Sequence, residues 1–236
     1  MNSAVLGTVG LGGVAALDAV PLGQTMLSQP LVTATLVGLM WGDLATALEV
    51  GVVLQLIAAS TLPVGARTPE DYASGGVIGS ALALVLAAQQ PYAMARESSA
   101  LLGCIAGMLS AAAGVPLIKW QRRRNEGLAR WCEAELRGGR PGALAAAQWA
   151  GASLAFAVGV ALTAAGLALG AWALGPLLAR ESLRLSRAWT LAQPLWIGLG
   201  LAQLISAFIQ RRLARAALFG AALITAWLVL IVGMRS

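Results

Sequence analysis

Asp43, Glu49, Gln55 and the pair Glu70-Asp71 lie within or beside the apolar run PLVTATLVGLMWGDLATALEVGVVLQLIAASTLPVGARTPEDYASGG, residues 30–76. Acids and amides at membrane depth are costly, so they normally face a cavity or a neighbouring helix rather than lipid. Gln55 precedes, and Glu70-Asp71 follow, a turn that carries Pro63, Gly65 and Pro69. Such residues disfavour a continuous helix. Broken helices with polar groups at the break are a mark of substrate sites in membrane transporters.

The chemistry these groups offer is binding. A polyhydroxylated ligand such as a sugar presents groups that both donate and accept, so its site needs carboxylates and amides held in fixed directions. Gln55 and Asp71 are the leading candidates, expected to converge on one hydrated hollow within the bilayer. Glu70 and the backbone around Pro63, Gly65 and Ala66 are expected to shape it, with Gln24 and Gln29 as weaker candidates. Backbone groups freed in a broken segment are tolerated at membrane depth when they line a cavity. Each residue also has a plainer reading. Gln55 bonds a neighbouring helix, Asp43 after Gly42 caps a helix, Glu49 pairs with Arg67 or a partner subunit, and Glu70-Asp71 form a solvated loop.

Other chemistry is absent. The chain has no histidine, which removes a Ser-His-Asp hydrolase, a His-ligated metal and a phosphohistidine relay within this polypeptide. There is no GxxxxGK[ST] phosphate loop. The Gly-rich GTVGLGG at residues 7–13 lacks the strand–helix setting of a dinucleotide site and reads as helix packing. Cys104 lies in an apolar run and Cys132 in a basic one, a placement that suggests neither a disulfide framework nor a metal site. No cofactor is expected. An intramembrane enzyme using Asp43 or Asp71 would want a second group tuned near neutral pH, and no spacing supplies one.

Composition dictates what must position these residues. The chain of 236 residues is 58 % hydrophobic and 11 % charged, against about 25 % charged in soluble domains. Apolar runs at 73–90, 98–118, 141–178, 188–210 and 216–234 approach or exceed the roughly 17 to 25 residues of a bilayer crossing. We expect an all-α polytopic membrane bundle, one domain over residues 1–236, with broken or re-entrant helices near the substrate site. The N-terminus has no basic residue ahead of its apolar part, so it is expected to be retained rather than cleaved as a signal.

Residues 31–42 and 44–62 together would make about 48 Å of continuous helix, longer than a hydrocarbon core of about 30 Å. A strong tilt, a break at Gly42-Asp43 or a re-entrant hairpin is therefore needed. A further helix is expected from near Ser74 to Gln89, ended by Pro91. Residues 141–178 carry no charge in 38 positions and predict two short passes, or one crossing plus a re-entrant piece. Gly151, Gly159, Gly166 and Gly170 there permit close helix contact.

Charge is unevenly distributed. Residues 1–100 have a net charge of −4 and residues 119–140 a net of +4, within an overall +6. The run at 119–140, KWQRRRNEGLARWCEAELRGGR, reads as a cytoplasmic basic loop under the positive-inside rule. A nucleic-acid surface would need a folded basic face outside the membrane, so no nucleic-acid partner is expected. The clusters Arg180/Arg184/Arg187 and Arg211/Arg212/Arg215 flank one crossing and cannot share the cytoplasmic side.

The ordered pieces Pro30-Leu31-Val32, Thr35-Leu36-Val37-Gly38, Gly42-Asp43, Gly51, Leu54-Gln55-Leu56, Gly65 and Pro69-Glu70-Asp71-Tyr72 resemble the membrane subunit IIC of the mannose/sorbose family of the bacterial sugar phosphotransferase system (PTS). The similarity covers about residues 15–85; beyond them it rests on length and hydropathy. It implies a permease in the bacterial cytoplasmic (inner) membrane that pairs with a IID membrane protein and passes a hexose or related sugar inward. Separate soluble IIA and IIB proteins would carry the phosphate, so this subunit would not itself be an enzyme. The resemblance also implies a trimer, and places the positions of Gln55 and Asp71 near the sugar. Pro63, where relatives often have Asn or another small or polar residue, and Arg67-Thr68 depart from the pattern. The alternative reading is a regulatory or structural membrane protein derived from such a permease that no longer transports.

Overall fold

The computed structural model describes residues 2–19, 25–59, 70–89 and 95–209, with helical pieces at 213–214, 216–221 and 224. Among these residues there are no strands. Six helices follow in order: α1 (Asn2–Ala19), α2 (Pro30–Trp41), α3 (Leu44–Ala58), α4 (Tyr72–Ala88), α5 (Ala95–Arg137) and α6 (Ala143–Phe208).

The long stretch after Pro30 breaks at Gly42-Asp43. Gly42 takes the left-handed conformation at φ 76°, which only glycine enters without steric cost. Asp43 then caps α3, accepting hydrogen bonds from Thr46 N at 3.1 Å and Thr46 Oγ1 at 2.6 Å. With the break made, α2 and α3 fold back as an antiparallel hairpin. A Cβ on Gly38 would lie 2.8 Å from Leu44 Cα, and one on Gly51 would lie 2.5 Å from Ala34 Cβ. At about 1.5 Å per residue neither half alone spans the hydrocarbon core.

α4 is the central helix. It is apolar on every side, the pattern of a helix enclosed by others, and Val77, Ile78, Ala81, Leu82 and Leu86 are fully buried. It packs on α1, α2, α3, α5 and α6. Two small-residue pairs set its closest contact: Gly75 and Gly79 on α4 face Gly107 and Gly103 on α5. A Cβ on Gly75 would lie 2.6 Å from Gly107 O, and one on Gly103 would lie 2.6 Å from Gly79 O. Small residues four apart let membrane helices approach this closely. Gly166 and Gly170 of α6 meet Ile78 and Leu82 of α4 in the same manner, and Gly159 meets Gly12 of α1.

Two expectations are corrected. The basic segment 119–140 is not a loop. α5 runs through it to Arg137, and only residues 138–142 turn, with Gly139 at φ 79°. Arg, Glu, Lys, Leu and Ala are all good helix formers, so charge ends the apolar run without ending the helix. Likewise 141–178 is not two short pieces but one helix, the first part of α6; Glu181, at φ −121° and ψ 19°, is non-helical and separates it from a second helix that carries the expected 188–210 segment as far as Phe208. Ser98 Oγ donates to Ser182 O at 2.6 Å, and Ser186 Oγ donates to Glu97, tying this bend to the start of α5.

Candidate functional site

α3 and α4 are antiparallel: Leu54 meets Gly79 and Gly107, while Val50 meets Gly103. The C-terminus of α3 and the N-terminus of α4 therefore stand at one end of the bundle. Gln55 and Asp71 lie at that end, with Glu70, half-buried, beside Asp71.

Their side chains take different neighbours. Gln55 Nε2 donates to Gln29 Oε1 at 2.8 Å, and Gln55 Oε1 accepts from Leu31 N at 3.3 Å. The amide thus engages one of the open N–H groups at the start of α2, groups that have no partner within the helix. Asp71 instead caps α4, accepting from Ser74 N at 3.1 Å, while its own N–H donates to Ala111 O of α5 at 2.9 Å. Its carboxylate is wedged against α5. A Cβ on Gly114 would lie 2.5 Å from Asp71 Cβ and 2.9 Å from Asp71 Oδ2.

Asp71 also lines a cavity of about 70 Å³ between α1, α4, α5 and α6, together with Ser74, Gln121, Arg122 and Asn125. Gln55 does not line it. Of the other candidates, Gln24, Pro63, Gly65 and Ala66 lie outside the described residues, as does Arg67.

Asp18 is not among the candidates named from the sequence. It is buried at the end of α1 and accepts from Thr25 N and Thr25 Oγ1, both at 2.6 Å, and from Ser28 N at 2.8 Å. These bonds secure the turn that delivers Gln29, whose N–H donates to Met26 O at 3.1 Å. An acid closing an apolar helix, followed by a Pro/Gly break and then Thr and Ser, is a signal that would have found it. Toward the opposite end of α3, Glu49 pairs with Arg96 at 3.6 Å, a partner the sequence reading did not name.

Among the described residues the arrangement offers hydrogen-bonding groups where α3 ends and α4 begins, with no nucleophile set beside a base. Among the described residues no three His, Cys, Asp or Glu side chains are placed to hold a metal. A family model for the sorbose-specific IIC component of the PTS matches residues 3–235. The chain belongs to this family. It is the sugar-permease, or IIC, type of PTS subunit, a membrane transport component. Solved structures that share its fold include the following two. One, described only as a membrane protein, is 18 % identical, with 97 % of this chain and 96 % of that chain covered and a TM-score of 0.68. The other is a chain of the complex between the mannose transporter ManYZ and microcin E492, 19 % identical, with 97 % and 95 % covered and a TM-score of 0.59. No curated protein matches the chain significantly.

Proposed function

We propose that this IIC subunit binds a hexose or related sugar at the end of the bundle where α3 gives way to α4, and passes it across the bacterial inner membrane by alternating access. Gln55, Asp71 and Glu70 bond sugar hydroxyls in this reading. Pro63, Gly65 and Ala66 shape the site in the same reading, with Gln24 as a further candidate for sugar contact. A IID membrane subunit completes the transporter, soluble IIB and IIA proteins supply phosphate on the cytoplasmic side, and the assembly is a trimer. The charged second half of α5 faces the cytoplasm.

The family match over residues 3–235 carries this reading. Supporting it, Gln55 and Asp71 sit at one end of antiparallel helices beside a Pro/Gly-containing connection, where polar groups have a physical reason to be in an apolar bundle. The test is uptake of radiolabelled hexoses and amino sugars by cells that co-express the chain with its adjacent genes. Gln55→Leu and Asp71→Ala are expected to weaken apparent affinity; unchanged affinity in both removes them from the site.

A further inference from the structure

Between α3 and the second helix of α6 runs an open groove of about 360 Å³. Leu48, Val52 and Val53 of α3 and Trp189 of α6 make its walls, and Glu49 and Gln193 are its polar members. Its depth follows from the packing. Val50 meets Gly103 of α5, about 9 Å along that helix from Glu97, the last charge before the apolar run at 98–118. The groove therefore opens within the bilayer, near the boundary at the Asp43 end of the bundle. Val52 is 40 % exposed, and among the described residues no element closes over it.

Charge marks the mouth. A helical side chain leans toward the N-terminus of its helix, which carries the Glu49 carboxylate toward the boundary. There Arg96, at the start of α5, lies 3.6 Å away, and both groups are partly exposed. A charge-assisted hydrogen bond is about 2.7–2.9 Å long, so this pair is loose and both partners keep hydrogen-bonding capacity. Asp43 and Glu97 add their fields at Glu49. Among the described residues that leaves three acids to one arginine at the mouth.

These features select among the molecules a bilayer offers. An apolar groove that ends in charge takes an amphiphile, with its tail along α3 and its headgroup at Glu49 and Arg96. The excess of acid repels a net-anionic headgroup. A zwitterion with a primary ammonium suits both charges: its N–H groups donate to Glu49 and its phosphate accepts from Arg96. A quaternary ammonium has no N–H to donate. An apolar helix of another subunit would fill the walls and leave the loose pair as it is.

We propose that this groove binds a glycerophospholipid with a primary-ammonium headgroup, of the phosphatidylethanolamine class, its ammonium on Glu49 and its phosphate on Arg96. The lipid fills the gap between α3 and α6 and so steadies the helix that carries Gln55. With the charged half of α5 in the cytoplasm, as proposed above, it belongs to the outer leaflet.

The test is native mass spectrometry of the full-length chain, purified in detergent with equal amounts of phosphatidylethanolamine, phosphatidylcholine and phosphatidylglycerol. Wild type is expected to retain the ethanolamine lipid at least about tenfold over the other two, the worth of one charge-assisted hydrogen bond. Glu49→Gln and Arg96→Gln are each expected to lose that preference while still retaining lipid. Val52→Phe, which fills the groove and keeps both charges, is expected to retain less of every lipid. All three positions are partly exposed, so the variants are expected to fold. Equal retention by wild type, retention of none, or a preference for another headgroup overturns the site. So does a preference that survives both charge variants. Cross-linking of Val52→Cys to a transmembrane helix of a co-purified subunit also overturns it, and assigns the groove to a protein partner. None of these results touches the sugar-permease reading.

Discussion

Gln55 on α3 holds Gln29, the residue just before α2, through a 2.8 Å hydrogen bond from Nε2 to Oε1. The two residues are 26 positions apart, yet the fold-back at Gly42-Asp43 brings them side by side. The amide predicted to face a ligand is thus also a fastener for the hairpin. Gln55→Glu keeps the acceptor for Leu31 N–H and loses the donor to Gln29; Gln55→Leu loses both. Leucine is expected to cost about 1 kcal/mol of stability, glutamate less, with sugar uptake falling in the same order. Thermal unfolding in detergent alongside uptake separates the two effects.

Asp71 serves as a helix cap and lines the polar cavity. Asp71→Ala removes the cap and is expected to cost about 0.5–2 kcal/mol, whereas Asp71→Asn retains it at little cost. If the carboxylate also bonds sugar, both variants lose affinity. Stability kept together with affinity lost in Asp71→Asn is the expected outcome; full affinity in that variant would reduce Asp71 to its capping role.

Gly114 lets Asp71 approach α5. A methyl group there would sit 2.5 Å from Asp71 Cβ, closer than real contacts allow. Gly114→Ala is expected to destabilise by about 1–3 kcal/mol through overpacking and to weaken sugar binding by moving Asp71. An unchanged melting temperature and unchanged affinity would mean that α5 yields without moving the site.

Asp18 bonds Thr25 and Ser28 and secures the turn before Gln29. Asp18→Ala removes the acceptor for three hydrogen bonds and is expected to cost roughly 2 kcal/mol. Loss of order should spread to the Gln29–Gln55 contact. Hydrogen exchange at residues 25–33 would report it, and wild-type protection there would place the fastening elsewhere.

The Glu49–Arg96 pair is partly exposed, at 32 % and 44 %, so its expected contribution is below about 1 kcal/mol. Glu49→Gln and Arg96→Gln are each expected to lower the melting temperature little. A double variant no worse than either single one is the signature of their direct interaction.

Several features were legible without coordinates. The membrane class follows from a chain too poor in charge to coat a water-facing surface. The break at Gly42-Asp43 follows from a left-handed-tolerant residue before a capping acid, in an apolar stretch longer than a bilayer. Gly159, Gly166 and Gly170 were visible as sites of close helix contact, but their spacing does not say that the first meets α1 and the other two meet α4. The basic segment 119–140 was misread because hydropathy reports where apolar sequence stops, and Arg, Lys and Glu continue a helix as readily as Leu.

By itself, then, the sequence of this chain determined its solvent, its helical character, its breaks and the polar residues that apolar surroundings make conspicuous. Tertiary structure decided the company each of them keeps. Gln55 meets Gln29 and Leu31, while Asp71 meets Ser74 and, on α5, Ala111 and Gly114. The reason is physical: local preferences act over a few residues and set where helices start and stop. Which faces touch across 40 or more positions depends on backbones closing over glycines, an outcome of the whole packing that no local pattern encodes.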